Sequence, residues 1–297
     1  MRRLRAGHFF VMNEPPGNAL HLNLDEAWNP ADLTVPTRDL RSWGPVLRFS
    51  APAREMERFY REQAGGLPPI LIYGSGDFHH LSALWLRRLG SRTTVVSFDN
   101  HPDWDIRPPQ WCCGGWVNRA LDLAQVEKVS VWGCGNFECW WPGRIFGNNF
   151  AERSGRLEVH PWAEDGGGKV RARRAAILWE NWRERFSAFV AQLGAMKVYL
   201  TIDLDCLRAD EAVTNWESGR FSLEDVAWAL ELLGQGNRIV AGDICGAWSA
   251  PIFARRKQRF AAEMDHPKLP EREPEAVRQT NLRVLARLLP LLARPVS

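Results

Sequence analysis

Short apolar runs recur along the chain. Most are followed by a glycine, proline or polar cluster and then by a stretch of helical period. PPILIYG (68–74), TTVVSF (93–98), KVSVWG (128–133), RLEVHPW (156–162), KVYLTI (197–202) and NRIVAGD (237–243) read as buried strands. LSALWLRRLG (81–90), WVNRALDLAQ (116–125), RAAILWENWRERFSAFVAQLG (174–194) and FSLEDVAWALELLG (221–234) show the period of amphipathic helices. Ser222 is placed to cap the last of these, with acids in the first turn and Gly234 at its end. A C-terminal amphipathic helix is expected over 275–293, after the polar, proline-broken stretch 264–274. Strands alternating with helices predict βαβ units: a parallel sheet whose right-handed crossovers put helices on both faces. FFVMN and VLRFS suggest two earlier strands around a segment rich in proline and asparagine, and 143–155 and 163–170 read as loops. The expected fold class is α/β, in one domain over 1–297 with its core at about 65–250.

Charge changes this picture little. Thirty-eight basic and 35 acidic side chains in 297 residues leave a net charge of +3, which gives no case for nucleic acid or an anionic membrane. Arg171, Arg173 and Arg174, and Arg255, Arg256 and Lys257, read as solvated faces or helix ends. No apolar run approaches the roughly 20 residues of a membrane helix. The apolar stretch behind the basic start is only about five residues, short for a secretory signal. A cytoplasmic protein is expected. Its six cysteines, with no CxxC pair, are then thiols rather than a disulfide framework. Fifteen tryptophans imply core or pocket wall.

The chemistry lies just past the strands. In open parallel sheets, sites form outside the carboxyl ends of the strands. After LIY comes GSGDFHH with Asp77, His79 and His80. After VVSF comes DNHPDWD with Asp99, His101, Asp103 and Asp105. After VYLTI comes DLD with Asp203 and Asp205, and RIVAG is followed by Asp243. In extended chain, residues 99, 101 and 103 share one side, as do 203 and 205. So many carboxylates around a common point repel one another unless divalent cations neutralise them. Oxygen-rich ligation with some imidazole favours Mn²⁺ over Zn²⁺, with Fe²⁺, Co²⁺ or Zn²⁺ as competitors. GSGDF lacks the spacing of a dinucleotide-binding loop. His8, His21, His160 and His266 have no comparable context and read as structural or surface residues.

GDFHHL, DNHPD and TIDLD, in this order, resemble the three metal motifs of the arginase–agmatinase (ureohydrolase) superfamily, GGDHS, DAHxD and SxDxD. The resemblance covers about 70–250 and implies a three-layer α/β/α sandwich. It implies one metal on His79 (His80 as the fallback), Asp99, Asp103 and Asp203, and a second on Asp99, His101, Asp203 and Asp205. It further implies a binuclear metal-dependent hydrolase, with two divalent cations expected to be Mn²⁺, cleaving a C–N bond of a guanidino, amidino or amide small molecule through a metal-bridging hydroxide. Asp205 would orient that hydroxide. TNWESG (214–219) resembles the family's threonine-containing loop. Homo-oligomers are usual in the family.

Two positions depart from the pattern. CCGGWV puts Cys113 where arginases have a histidine beside the substrate, and DICGAW puts Gly246 where the family holds the guanidinium with a glutamate. Cys113 or Glu217 is then expected to handle the leaving-group proton, and Asp105 to orient a histidine or serve only the loop. Trp104, Trp111, Trp116, Trp216 and Trp248 are candidates for an aromatic wall, with core packing as the alternative for at least half of them. A catalytically inactive metal-binding protein with a binding or regulatory role is the alternative function.

Overall fold

The computed structural model describes residues 17–107, 111–164, 175–236, 238–269 and 272–294. Its strands are β1 (Ala19–Asn23), β2 (Thr37–Asp39), β3 (Ser50–Ala51), β4 (Ile70–Ile72), β5 (Thr93–Phe98), β6 (Trp111–Cys112), β7 (Val126–Cys134), β8 (Leu157–Pro161), β9 (Lys197–Asp203) and β10 (Ile239–Cys245). Eight of them form one sheet in the order β2-β1-β4-β10-β9-β5-β7-β8. Every pairing in it is parallel. The short β3 and β6 pair antiparallel outside it.

Side chains alternate across the sheet and find an apolar layer on each face. Ile70, Ile72, Val96, Phe98, Val198, Leu200 and Ile202 pack on α6 (Trp182–Leu193), α7 (Leu223–Gly234) and α9 (Pro274–Leu292). Leu71, Tyr73, Val95, Val129, Val131 and Tyr199 face the other way, toward α2 (Ala53–Gln63), α3 (Leu81–Leu86) and α4 (Trp116–Leu121). The helical turn α1 (Gly44–Leu47), α5 (Asn149–Arg153) and α8 (Arg256–Asp265) complete the described helices. The result is a three-layer α/β/α arrangement. Ser222 caps α7 through a reciprocal pair with Asp225. Among the described residues no helix is long and apolar enough to cross a membrane.

Several boundaries differ from the sequence reading. VLRFS is not a strand: residues 46–47 close α1, Arg48 turns its side chain inward to Asp77, and only Ser50–Ala51 extends. The helix expected from 174 begins at Trp182, because Ile177 extends the sheet region by pairing with Trp162. Ile177 donates its N–H to Pro161 O and accepts from Ala163 N, and a backbone so engaged cannot be helical. Residues 143–155 contain α5 rather than loop alone. β1, β2, α2 and α8 had no counterpart in the pattern. FFVMN, the arginines at 171–174 and residues 165–170 lie outside the described residues.

Candidate metal centre

The register puts the three motifs side by side. Phe98, Ile202, Ile244 and Ile72 form one row across β5, β9, β10 and β4. One residue further, Asp203 pairs with Cys245, and Asp99 follows Phe98 at the same level. This row is where the strands end, so its side chains open onto a cleft. Asp99, His101, Asp103, Asp203 and Asp205 line it, together with Gly76, Cys113, Asn136, Phe137, Glu138, Trp216, Glu217 and Asp265 among others. The cleft opens to solvent at its mouth.

The glycines of the first and last loops allow this convergence. A Cβ on Gly76 would lie 2.6 Å from Asp203 Oδ2. One on Gly246, at φ +100°, would lie 2.2 Å from Asp203 Oδ1 and 2.4 Å from Leu204 N. The backbone of β10 therefore passes so close to Asp203 that no carboxylate side chain fits at 246. Between them, GDF folds into a 3-10 turn capped by Ser75 that carries His79 into the centre. In DNHPD the non-glycine Asp103 sits at φ +47°, a costly conformation that is concentrated at functional sites.

His79 Nδ1 lies 3.1 Å from Asp99 Oδ2, 3.2 Å from Asp103 Oδ2 and 3.5 Å from Asp203 Oδ2. Neither His79 Nδ1 nor Asp99 Oδ2 has a hydrogen-bond partner, and both residues are buried. Its Nε2 is 2.9 Å from Thr201 Oγ1. Thr201 donates its single proton to Asp243 Oδ1 at 2.6 Å, so His79 Nε2 must be the donor to it. A neutral His79 then presents the lone pair of Nδ1 to the carboxylates. His101 repeats the arrangement. Its Nδ1 is 2.9 Å from Asp205 Oδ2, and its Nε2 is 3.3 Å from Glu217 Oε2. Asp205 also accepts from Asn100 N at 3.0 Å, and Asp103 from Trp116 Nε1 at 2.6 Å. Donor atoms of His79, Asp99 and Asp103 lie within 4.8 Å of one another, as do those of Asp99, His101 and Asp205. Unsatisfied buried atoms, one ring nitrogen facing inward and the other anchored outward fit divalent cations.

The electrostatics agree with this. Burial, then the charges of Asp205 and Asp99, raises Asp203 well above the usual carboxylate range. Burial and Asp99 push Asp103 up to about 7, and burial raises Asp205 to about 6. Burial also disfavours charge on Asp99, but the imidazoles of His101 and His79 beside it outweigh burial and keep it low. Burial works against His79 and His101 too, yet their carboxylate partners raise both well above the ordinary histidine value. Without cations, protons must carry the neutralising charge.

The remaining candidates separate cleanly. His80 is buried with neither ring nitrogen partnered, and burial lowers it to about 3. It makes none of the carboxylate contacts of His79. Asp77 turns away, to Arg48 Nε at 2.7 Å and His266 Nε2 at 2.7 Å. Asp105 pairs with the exposed Arg107, a loop role. Asp243 is not at the sheet edge: it lies below the cleft, accepting from Thr201, Ser82 and Tyr199. The residue that β10 brings to the edge is Cys245. Cys113 lines the cleft, and burial raises its thiol well above the usual range. A hydrogen bond to His101 holds Glu217 below its ordinary value. Of the five tryptophans only Trp216 lines the cleft, while Trp104 and Trp116 are core.

Glu138 and Asp265 were not legible as site residues. Glu138 follows β7, and the strand-end rule applied to CGNFE would have found it; burial raises it to about 7. Asp265 ends α8, whose contribution to the cleft left no signal in the sequence.

These features define a class: a parallel α/β/α protein with a histidine–aspartate cluster at the carboxyl edge of its sheet. No family model matches the chain. An uncharacterized protein of Thermotoga maritima is 30% identical over 178 residues, 60% of this chain and 57% of that relative. The chain thus matches little more than half the length of that relative. Among solved structures it is similar to proclavaminate amidino hydrolase from Streptomyces clavuligerus (TM-score 0.56, 12% identity, 95% of this chain and 94% of that one). It is also similar to arginase from Bacillus subtilis (0.53, 12%, 94% and 100%) and to a protein described as an agmatinase from Clostridium difficile (0.54, 13%, 95% and 99%). The chain has the fold of the arginase–agmatinase (ureohydrolase) superfamily, in a divergent form.

Proposed function

We propose that the protein is a binuclear metal-dependent hydrolase of a C–N bond in a cationic or neutral guanidino, amidino or amide small molecule. One observation carries this reading: six residues from three separate strand ends, His79, Asp99, His101, Asp103, Asp203 and Asp205, converge on one row of the sheet. His79, Asp99, Asp103 and Asp203 would hold an inner cation, and Asp99, His101, Asp203 and Asp205 an outer one. The outer set matches the preferences of Mn²⁺. When bound, such a pair supplies Lewis acidity and a water activated at neutral pH. The names of the similar structures, arginase and amidino hydrolase among them, support the bond type.

The chain's own side chains supply the rest. Thr201 and Glu217 hold the outward nitrogens of His79 and His101 and so fix both rings. Among the described residues, those lining the cleft include no Arg or Lys, while Glu138, Glu217 and Asp265 place carboxylates around it and Trp216 adds an aromatic face. That favours a cationic or neutral substrate over an anionic one. With Gly246 unable to carry a carboxylate, these residues take over recognition of the polar head. Glu217 is ionised and accepts protons. Glu138, poised near 7, and Cys113, held as a thiol, are the groups able to donate a proton to a leaving amine.

The test is a panel of guanidino, amidino and amide compounds with Mn²⁺-loaded protein, followed by release of urea, ammonia or amine. Turnover lost in Asp205→Asn supports the reading. Absence of turnover with two cations retained would favour a non-catalytic metal-binding protein.

A further inference from the structure

We propose that Cys245 is a thiolate ligand of the inner cation, making that position a mixed nitrogen, oxygen and sulfur site that takes Zn²⁺, Fe²⁺ or Co²⁺ in preference to Mn²⁺. The inference rests on the metal-centre reading above and adds a ligand to it. Cys245 is the last residue of β10 and pairs directly with Asp203 of β9, so the two side chains stand side by side on one face. Its Sγ lies 3.4 Å from Asp203 Oδ2. Donor atoms of His79, Asp203 and Cys245 all fall within 4.8 Å of one another, and all three residues are buried. His79 Nδ1 is the unpartnered buried atom aimed into the same space.

The second donor triad around His79, with Asp99 and Asp103, is oxygen-rich. Adding one thiolate changes the character of the inner position only, since His101, Asp205 and Asp99 form a triad without sulfur. Soft sulfur donors select zinc, iron and cobalt, whereas carboxylate and water suit manganese. As the Sγ–metal bond forms, the thiol proton leaves to solvent, and no electron is transferred. Two other buried thiols near the site are differently placed. Cys206 packs in the apolar layer on the opposite face of the sheet, and Cys113 lines the cleft from the turn before α4.

The experiment is Co²⁺ titration of chelator-stripped protein, read by absorption, with X-ray absorption at the zinc edge on the Zn²⁺-loaded wild type. The expected result is a near-ultraviolet sulfur-to-cobalt charge-transfer band in the wild type and in Cys113→Ser, absent in Cys245→Ser. A sulfur neighbour of zinc at about 2.3 Å is expected as well. Preference for Zn²⁺ over Mn²⁺ should fall by about tenfold or more in Cys245→Ser. Bound cobalt with visible ligand-field bands but no charge-transfer band, or zinc with only nitrogen and oxygen neighbours, overturns the thiolate and leaves the metal centre standing. A band that survives Cys245→Ser and disappears in Cys113→Ser assigns the sulfur elsewhere and overturns it too. No cobalt bound at all overturns both. The zinc-edge measurement needs no variant, so it decides the question even if Cys245→Ser fails to fold.

Discussion

Stripping the protein of cations should make its stability fall as pH rises from 6 to 8, and restoring them should remove that fall. Asp103 has a folded pKa of about 7 against 3.8 for the ordinary side chain. Between those values the folded chain holds a proton that the unfolded chain has lost, so rising pH costs stability until pH passes 7. Well inside that window each pH unit costs about 1.4 kcal/mol; close to the folded value the slope falls off, so Asp103 alone accounts for about 1 kcal/mol between pH 6 and 7. His79 and His101 act in the same direction. Their folded values lie well above 6.5, so the stability they give is complete below 6.5 and is lost as pH climbs toward the folded values. Both therefore steepen the loss on the alkaline side of 6.5. The groups share one another's charges, so their effects do not add in full, and a loss of about 1 kcal/mol or more between pH 6 and 8 is expected. Cations replace those protons, and the carboxylates then bind deprotonated. The assay is urea unfolding followed by tryptophan fluorescence at pH 6 and 8, with chelator and with Mn²⁺ or Co²⁺. A chelated protein equally or more stable at pH 8, or one indifferent to the cation, would refute the reasoning.

Three further outcomes are expected. Gly246→Ala puts a Cβ against Asp203 Oδ1 and Leu204 N at φ +100°; a loss of roughly 2–4 kcal/mol in urea unfolding should accompany loss of bound metal. Arg48→Met strands Asp77 and Asp25, both buried beside it; a loss of about 3–5 kcal/mol is expected, and a variant as stable as wild type would contradict a paired interior charge there. Glu138→Gln should lower turnover by about 10²–10⁴-fold and abolish an alkaline limb near pH 7 if Glu138 donates the leaving-group proton; Cys113→Ala with the larger effect would move that role to the thiol.

The parallel sheet was legible because its central strands are short, apolar and punctuated. TTVVSF became β5 to the residue, and KVYLTI became β9 with one residue added. The edge was harder. β1 and β2 lie in a segment rich in proline and asparagine, and β2 has three residues, too few for any period. The histidine–aspartate cluster was legible because each motif directly follows a strand. Asp243 lies below the cleft rather than past the strand, and Cys245 takes the edge, because β10 runs two residues past Asp243. Sequence spacing alone does not fix where a strand ends. The rim was not legible: Asp265 reaches the cleft from the far end of α8, beside His266, which contacts Asp77 across 189 positions of sequence.

The most direct measurement is the metal content of protein purified without chelator, set beside the double variant Asp99→Asn/Asp203→Asn. About two divalent cations per chain, lost in the variant, are predicted for a binuclear hydrolase. Close to none, even after reconstitution with Mn²⁺, Co²⁺ and Zn²⁺, would contradict it.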